Sequence, residues 1–227
     1  MENHSLYDEQ ALRNHLIWMH DACKIPDDHV NYLKTLKDNF QPKVIYDIGS
    51  AVLHWTREVN IIWPDAKVIL FDCFEPFEFL YKDYDYHLGL LTDEDKKVVK
   101  FYQSNEHPSG NSYYKENDDI VFPKTSGIIK VGMTLDTIVK TKNFPLPDLV
   151  KMDVQGCEKD VFLGAQETLK NTKYLILEAQ HKEYNRGAPN SKELIPFVET
   201  FGWKCIASKF SINGDFDADY CFVNTKI

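Results

Sequence analysis

VIYDIGSAVLHW, residues 44–55, reads as a buried strand that runs into a ligand-binding turn. Val44, Ile45 and Ile48 supply the apolar core, Asp47 sits near the strand end, and Gly49 opens the bend. A dinucleotide-binding turn of the G-x-G-x-x-G kind carries two more glycines, because a pyrophosphate must approach the backbone at a helix N-terminus. Here Ala51, Val52 and Leu53 stand in that space, followed by His54 and Trp55. The turn therefore predicts a ligand that makes no such demand on the backbone.

Working outward, the same kind of segment recurs. KVIYDI, AKVILFD, YHLGLL, PDLVKMDV and KYLILEA are strand-like, and WKCIA and DADYCFV close the chain as strands. TREVNIIW, EPFEFLYKD, EKDVFLGAQETLK and SKELIPFVETFG are helix-like; in the third, Val161, Ala165 and Leu169 share a face with Cys157. Continuous apolar strands separated by helices predict an α/β fold, a mostly parallel open sheet covered on both faces. Residues 6–40 predict two helices, the first with Leu12, Leu16, Ile17 and His20 on one stripe, the second starting at Pro26 and Asp27 and carrying Val30, Leu33 and Leu36. The expected organisation is a helical cover over residues 1–41 and a main domain over 42–227. VVKFYQ and SGIIKVGMTLD interrupt the rhythm, and HPSGNSYYKENDDIVFPKTSG, residues 107–127, is the candidate lid or substrate loop.

Composition narrows the partners. The formal net charge is −9 over 227 residues, with no basic cluster denser than a pair of lysines. Nucleic acid is not expected, because phosphate neutralisation supplies most of that affinity. Apolar runs such as YLIL at 174–177 are too short to span a bilayer, and MENHSLYDEQ has no apolar signal region. The five cysteines are scattered with no C-x-x-C pair, so neither a zinc knuckle nor a disulfide framework is predicted. A cytoplasmic protein follows as the expectation; the oligomeric state is not legible.

In an open parallel sheet, ligands bind beyond the carboxyl ends of the strands. That rule selects Asp47, Gly49, Asp72, the Gly89–Thr92 turn, Asp153 and Glu178. A helix N-cap explains any one of these acids singly; several converging on one edge exceed what capping needs. S-adenosylmethionine carries an ammonium, a carboxylate, a sulfonium and an unphosphorylated ribose, so it needs no triple-glycine turn. Asp47 is placed for the ammonium, Gly49 for close backbone approach, and the helix start near His54 for the carboxylate. Asp72, ending the second strand, is placed for the ribose hydroxyls. An acid also serves the ribose of NAD, so that feature alone does not discriminate.

The ordered series VIYDIGS, VILFD, GLLTDEDKKVVKFY, TLDTIV, LVKMDVQGCEKDVFLGAQETL and YLILEAQ resembles the FkbM family of S-adenosylmethionine-dependent methyltransferases, from about Lys43 to the carboxyl terminus. The fifth segment is the most specific, resembling the family pattern K-x-D-V-E-G-x-E-x-x-x-L-x-G-A. VLHW, SGNSYY and EYNRGAP resemble a branch found among bacteria and large or marine viruses. The resemblance implies a Rossmann-like class I methyltransferase fold: a mostly parallel seven-stranded sheet, helices on both faces and a terminal antiparallel hairpin. It also implies O-methylation of a sugar, a glycan or another small hydroxyl-bearing metabolite. Cofactor contact falls on Asp47, Gly49, Ser50 and Asp72, with Thr92 in the turn where this fold contacts adenine. Two departures stand out. Family members often carry a further glycine where this chain has Val52 and Leu53, and usually Glu where it has Gln155.

Methyl transfer to a hydroxyl needs an oxygen held opposite the sulfonium and a proton removed by a base or with the help of a divalent cation. Asp153 is the candidate base or metal ligand, kept charged by Lys151 on the same side of the strand. Glu178, with His181 just beyond, is the second catalytic candidate. If a divalent ion takes part, Asp153, Glu158 and Glu178 are its candidate ligands, although Gln155 leaves one negative charge fewer beside them. Asn111, Ser112 and Tyr113 offer the amide, hydroxyl and aromatic groups of a sugar-binding surface. His20 reads as packing and His54 as a steric element of the turn. Two other readings stay open: an NAD-linked sugar oxidoreductase, opposed by the missing glycines and the lack of an evident helical Y-x-x-x-K pair, and a non-catalytic binding module with a degenerate site.

Overall fold

The computed structural model describes residues 9–117, 127–213 and 216–227. Two helices, α1 (Glu9–Ala22) and α2 (Asp27–Lys37), precede β1 (Val44–Ile48), α3 (His54–Ile62), β2 (Lys67–Asp72) and β3 (Asp85–Leu88). Next come β4 (Lys97–Tyr102), β5 (Gly127–Gly132), α4 (Leu135–Lys142), β6 (Leu149–Met152) and α5 (Glu158–Leu163). β7 (Tyr174–Gln180), α6 (Ser191–Glu199), β8 (Trp203–Asn213) and β9 (Asp217–Asn224) complete the chain. The main sheet runs in the order β3-β2-β1-β6-β7-β9-β8. Its first five members are parallel, and β9 lies antiparallel to β7 and to β8. Strand order reverses between β1 and β6, which opens a crevice at their carboxyl ends.

Alternation along each strand splits the core in two. Ile45 on β1, Leu70 on β2, Leu149 on β6 and Ile176 on β7 face a layer holding Leu16, Leu33 and Leu36 of the amino-terminal helices. Tyr46, Phe71, Val150 and Leu177 face the opposite layer, with Val161, Phe162, Leu194 and Val198 of α5 and α6. The helical cover therefore shares the apolar core of the sheet. Polar pins fix it as well: Arg57 of α3 donates to the carbonyls of His20 and Cys23, and the Trp55 indole donates to His29 Nε2 at 3.0 Å. Among the described residues, no helix is long and apolar enough to cross a membrane.

The structure departs from the sequence pattern in four places. EPFEFLYKD makes a short 3₁₀ turn, Glu75–Leu80, in place of an α-helix. EKDVFLGAQETLK does not stay helical throughout: α5 stops at Leu163 and a 3₁₀ turn resumes at Thr168–Asn171. The cause is tertiary. A side chain at Gly164 would stand 2.2 Å from the carbonyl oxygen of Thr92, and Asp136 of α4 accepts from the amides of Glu167 and Thr168 at 3.0 and 2.7 Å. The interrupting segments VVKFYQ and SGIIKVGMTLD pair into a separate antiparallel ribbon, β4 with β5. Ile17, expected on the apolar stripe of the first helix, is 40% exposed, while Leu16 is fully buried.

Leu33→Ala should cost about 2–5 kcal/mol, the range for a large-to-small change in a packed core, whereas Ile17→Ala should stay within about 0.5 kcal/mol. Urea denaturation monitored by tryptophan fluorescence measures both. Equal, small effects would mean that the amino-terminal helices are not seated on the sheet.

Candidate active site

The one-glycine turn is left-handed at two residues that carry side chains. Positive φ occurs at Gly49 (85°), Ala51 (42°) and Leu53 (65°). Two residues with side chains thus hold left-handed conformations that cost on the order of 1–3 kcal/mol each, and such strain collects at functional sites. Gly49 itself admits no substitute, since a Cβ there would lie 1.8 Å from the carbonyl oxygen of Asp153. The amides of Gly49 and Ser50 donate to the carbonyl of Phe71, and the amide of Asp153 donates to that of Ile48. Three strand ends are thereby laced together around the turn.

Two hollows open at this edge. The first is a cleft lined by Gly49, Ala51, Asp72, Leu90, Leu91 and Phe101, closed by Asn111, Ser112 and Tyr113 and reaching Asp153 and Gln155. Asp72 stands at one end of it. Its carboxylate accepts from the amides of Ala51 (2.9 Å), Cys73 (2.8 Å) and Phe74 (3.0 Å); burial raises its pKa, and these amides oppose the shift. Asn111 Oδ1 accepts from the Ser104 amide at 2.7 Å, while its Nδ2 is buried with no partner among the described residues. The second hollow lies under the amino-terminal helices, lined by Ile25, His29, Asp47, Trp55, Lys151, Glu178 and Asp219 among others. Gly49, His54 and Asp153 belong to both walls.

A chain of charged groups crosses this edge. The Lys151 ammonium lies 3.2 Å from Asp153 Oδ2 and 3.0 Å from Asp219 Oδ1; Asp219 Oδ2 lies 3.0 Å from His29 Nδ1. Burial raises the Asp153 carboxyl most strongly, but the Lys151 ammonium, joined by the hydrogen bond with Glu178 and by His54, holds the group below the usual carboxylate range. Asp219 is brought down to about 2 in the same way. Glu178 goes the other way: burial, then the Asp153 charge, raises it well above its ordinary value. Gln155, itself at a left-handed φ of 54°, donates its amide to Asp153 Oδ1 at 2.9 Å and to Glu178 Oε2 at 3.0 Å. Asp47 accepts from the Thr56 hydroxyl at 2.5 Å, yet burial lifts it to about 7.

The three carboxylates read from the sequence as a possible ion site do converge, with oxygens within 4.8 Å of one another. Their surroundings do not fit a resident divalent ion. The Lys151 ammonium already sits against Asp153, the shared Gln155 group presents hydrogens, and Glu158 Oε1 closes its own loop by accepting from Val154 and Gly156.

The other sequence candidates are distributed as follows. Asp47 belongs to the hollow beneath the helices, beside Gly49. Ser50 is buried in the turn, its hydroxyl donating to the Asp47 carbonyl at 2.6 Å. Thr92 is buried behind the cleft wall, where its neighbours Leu90 and Leu91 stand. His181 lines neither hollow; its Nε2 lies 2.9 Å from the Tyr220 hydroxyl. Asn111, Ser112 and Tyr113 wall the same cleft as Asp72, on the side away from the helical cover. Ser112 donates to the Gln155 carbonyl at 2.8 Å and Tyr113 to Asp160 at 2.8 Å, so this part of the loop is a fixed wall. The rest of the candidate lid, residues 118–126, lies outside the described residues. His29, Asp217 and Asp219 escaped the sequence reading. Acids in the otherwise apolar strand DADYCFV were the available signal, since buried carboxylates require partners.

The family model for the methyltransferase FkbM domain matches residues 70–205. Among solved structures, the O-methyltransferase TomG from Streptomyces achromogenes, involved in tomaymycin synthesis and bound to S-adenosylmethionine, superposes with a TM-score of 0.54 at 12% identity, covering 97% of this chain and 92% of that one. An O-methyltransferase family protein from Burkholderia thailandensis gives 0.52 at 8% identity, covering 98% of this chain and 61% of that one. At such identities these likenesses speak for the fold alone. A search of curated protein sequences returns no significant match.

Gly49→Ala should destabilise the fold by more than about 1 kcal/mol from backbone conformation alone, with the clash against Asp153 adding to it; chemical denaturation reads the change. Asp47 predicts a pH dependence. An acid whose pKa is raised from 3.8 to about 7 by folding binds more protons folded than unfolded, so it draws stability away as pH rises between those values. Asp47→Asn should therefore gain stability relative to wild type between pH 4 and pH 7 and keep that gain above; a constant difference across the range would contradict the burial of this charge.

Proposed function

The chain belongs to the FkbM methyltransferase family, and on that premise we propose that it is an S-adenosylmethionine-dependent O-methyltransferase acting on a hydroxyl of a sugar, a glycan precursor or another small metabolite. One observation carries the reading: a single cleft runs from Asp72, past the strained turn at Gly49, to Asp153. Its chemistry fits an adenosyl group. Asp72 has acceptor capacity for ribose hydroxyls, Leu90, Leu91 and Phe101 offer apolar surface, and Asn111 Nδ2 offers a donor with no acceptor among the described residues.

When bound, S-adenosylmethionine supplies an electrophilic methyl group on its sulfonium. The protein's share is positioning and charge. Asp153, kept anionic by Lys151, orients the acceptor hydroxyl. Glu178, linked to it through Gln155, stands on the side of the second hollow, which takes the acceptor beneath the helical cover. Counted from Gly49, Ala51 and His54 stand where a G-x-G-x-x-G turn carries its second and third glycines, which weighs against NAD. The charge balance around Asp153 is met by protein donors, so the reaction proceeds without a divalent ion.

Calorimetry with S-adenosylhomocysteine tests the cofactor. Wild type should bind at micromolar levels, NAD should not bind, and Asp72→Ala should weaken binding about 10- to 100-fold, the worth of hydrogen bonds to a charged group. Incubation with EDTA should leave the affinity unchanged. Methyl transfer from labelled S-adenosylmethionine into a panel of methyl glycosides reads the acceptor class, and Asp153→Asn should lower it by about 100-fold or more. Binding of NAD in place of the homocysteine product would sink the proposal.

A further inference from the structure

The cleft and the second hollow have three residues in common, Gly49, His54 and Asp153. If the cofactor fills one and the acceptor the other, which is the reading this inference rests on, the acceptor oxygen meets the methyl group where the two walls coincide. Gly49 brings no side chain there. That leaves Asp153 and His54 to receive the hydroxyl proton, and they differ sharply as acceptors. Asp153 is held between the Lys151 ammonium at 3.2 Å and the Gln155 amide at 2.9 Å. A carboxylate so well satisfied is a weak base.

His54 is the reverse case. Its Nδ1 is buried and has no hydrogen-bond partner among the described residues. His29, in the second hollow, is tied to its neighbours: its Nε2 accepts from the Trp55 indole at 3.0 Å, and its Nδ1 lies 3.0 Å from Asp219 Oδ2. His54 is the first residue of α3 and follows Leu53, whose left-handed φ of 65° sets the direction in which the helix starts. Charged and titratable groups face it from three sides: Asp153 and Lys151 from the β6 edge, Arg57 from α3 and His29 from α2. Burial lowers its pKa, Asp153 opposes this, and Lys151, Arg57 and His29 reinforce it. The imidazole is therefore neutral near pH 7, with a lone pair free.

We propose that His54 is a catalytic residue, its Nδ1 taking the proton of the acceptor hydroxyl while Asp153 steadies the imidazolium that results. In this step the acceptor oxygen bonds to the methyl carbon, the carbon–sulfur bond breaks with its electron pair remaining on sulfur, and the hydroxyl proton moves to Nδ1. Nε2 carries its proton throughout. A sulfonium, an alcohol and a neutral imidazole become a thioether, a methyl ether and an imidazolium, which returns its proton to water as product leaves. Charge is conserved, and the positive charge passes from sulfur to a ring beside Asp153.

Histidine side-chain NMR on the wild-type complex with S-adenosylhomocysteine, assigned by the signal missing in His54→Gln, tests the requirement directly. The expected state at pH 7 is neutral with the proton on Nε2, titrating below 6.5, the ordinary value. On any methyl glycoside that wild type methylates, His54→Gln should lose about 100- to 10,000-fold in kcat, the usual range for general-base catalysis, and should lose the acidic limb of the pH profile. Its affinity for S-adenosylhomocysteine should stay within about 3-fold of wild type, a shift of under 1 kcal/mol. A proton on Nδ1, a charged ring at pH 7, or an unchanged kcat would overturn the proposal. So would a large loss of S-adenosylhomocysteine affinity in the variant, which would make His54 a holder of the cofactor's carboxylate. Should His54→Gln fail to fold, His54→Asn supplies both the assignment and the kinetic comparison, with the same outcomes. Failure of wild type to bind S-adenosylhomocysteine would bring down the methyltransferase reading, and this one with it.

Discussion

Lys151 places a buried ammonium where four strands deliver carboxylates: Asp47 from β1, Asp153 just past β6, Glu178 from β7 and Asp219 from β9. One cation cannot neutralise four anions, and the outcome is a sorting. Asp153 and Asp219, in direct contact with Lys151, are held ionised, while Asp47 and Glu178 are pushed toward the protonated form by burial. Neighbouring acids with pKa values driven apart can perform different tasks in one site. Without the ammonium, two buried charges would lose their partner, a far larger cost than the net worth of any one pair.

The turn after β1 depends on the same edge. Ala51 and Leu53 hold conformations that glycine would adopt freely, and the strain is offset by the burial of Val52 and Leu53 in the apolar layer that also holds Leu16 and Leu33, and by the Asp72 carboxylate on the Ala51 amide. The cover, the turn and the charged edge are therefore mechanically joined. Trp55 of α3 grips His29 of α2, His29 grips Asp219 of β9, and Asp219 shares Lys151 with Asp153. A displacement of the cover would be felt at the site through side chains that are nearly all buried.

Much of the fold was legible because it rests on local periodicity. The apolar strands VIYDI, KVILFD and YLILEAQ declared a buried parallel sheet, and the acids at their ends marked the edge where the two hollows open. Where the reading failed, a contact from elsewhere in the chain had overruled local preference. The helix expected over EKDVFLGAQETLK breaks because the Thr92 carbonyl presses on Gly164 and Asp136 captures the amides beyond it. Asn111, Ser112 and Tyr113 stood out in the sequence by their chemistry, but which hollow they line was not legible, since the path of a loop is decided by what it docks on.

By itself, the sequence determined the fold class and singled out the candidates Asp47, Asp72, Asp153 and Glu178, because hydrophobic period and the position of an acid at a strand end are properties of neighbouring residues. Only the tertiary structure decided which acids are charged, which polar atoms are left without partners, and which residues stand between the two hollows. His54 illustrates the division: in the sequence it is a ring beside a turn, and in the fold it is an imidazole with a buried, unpartnered nitrogen in both walls. Burial and partnership are sums over contacts that arrive from distant parts of the chain, and no local pattern encodes them.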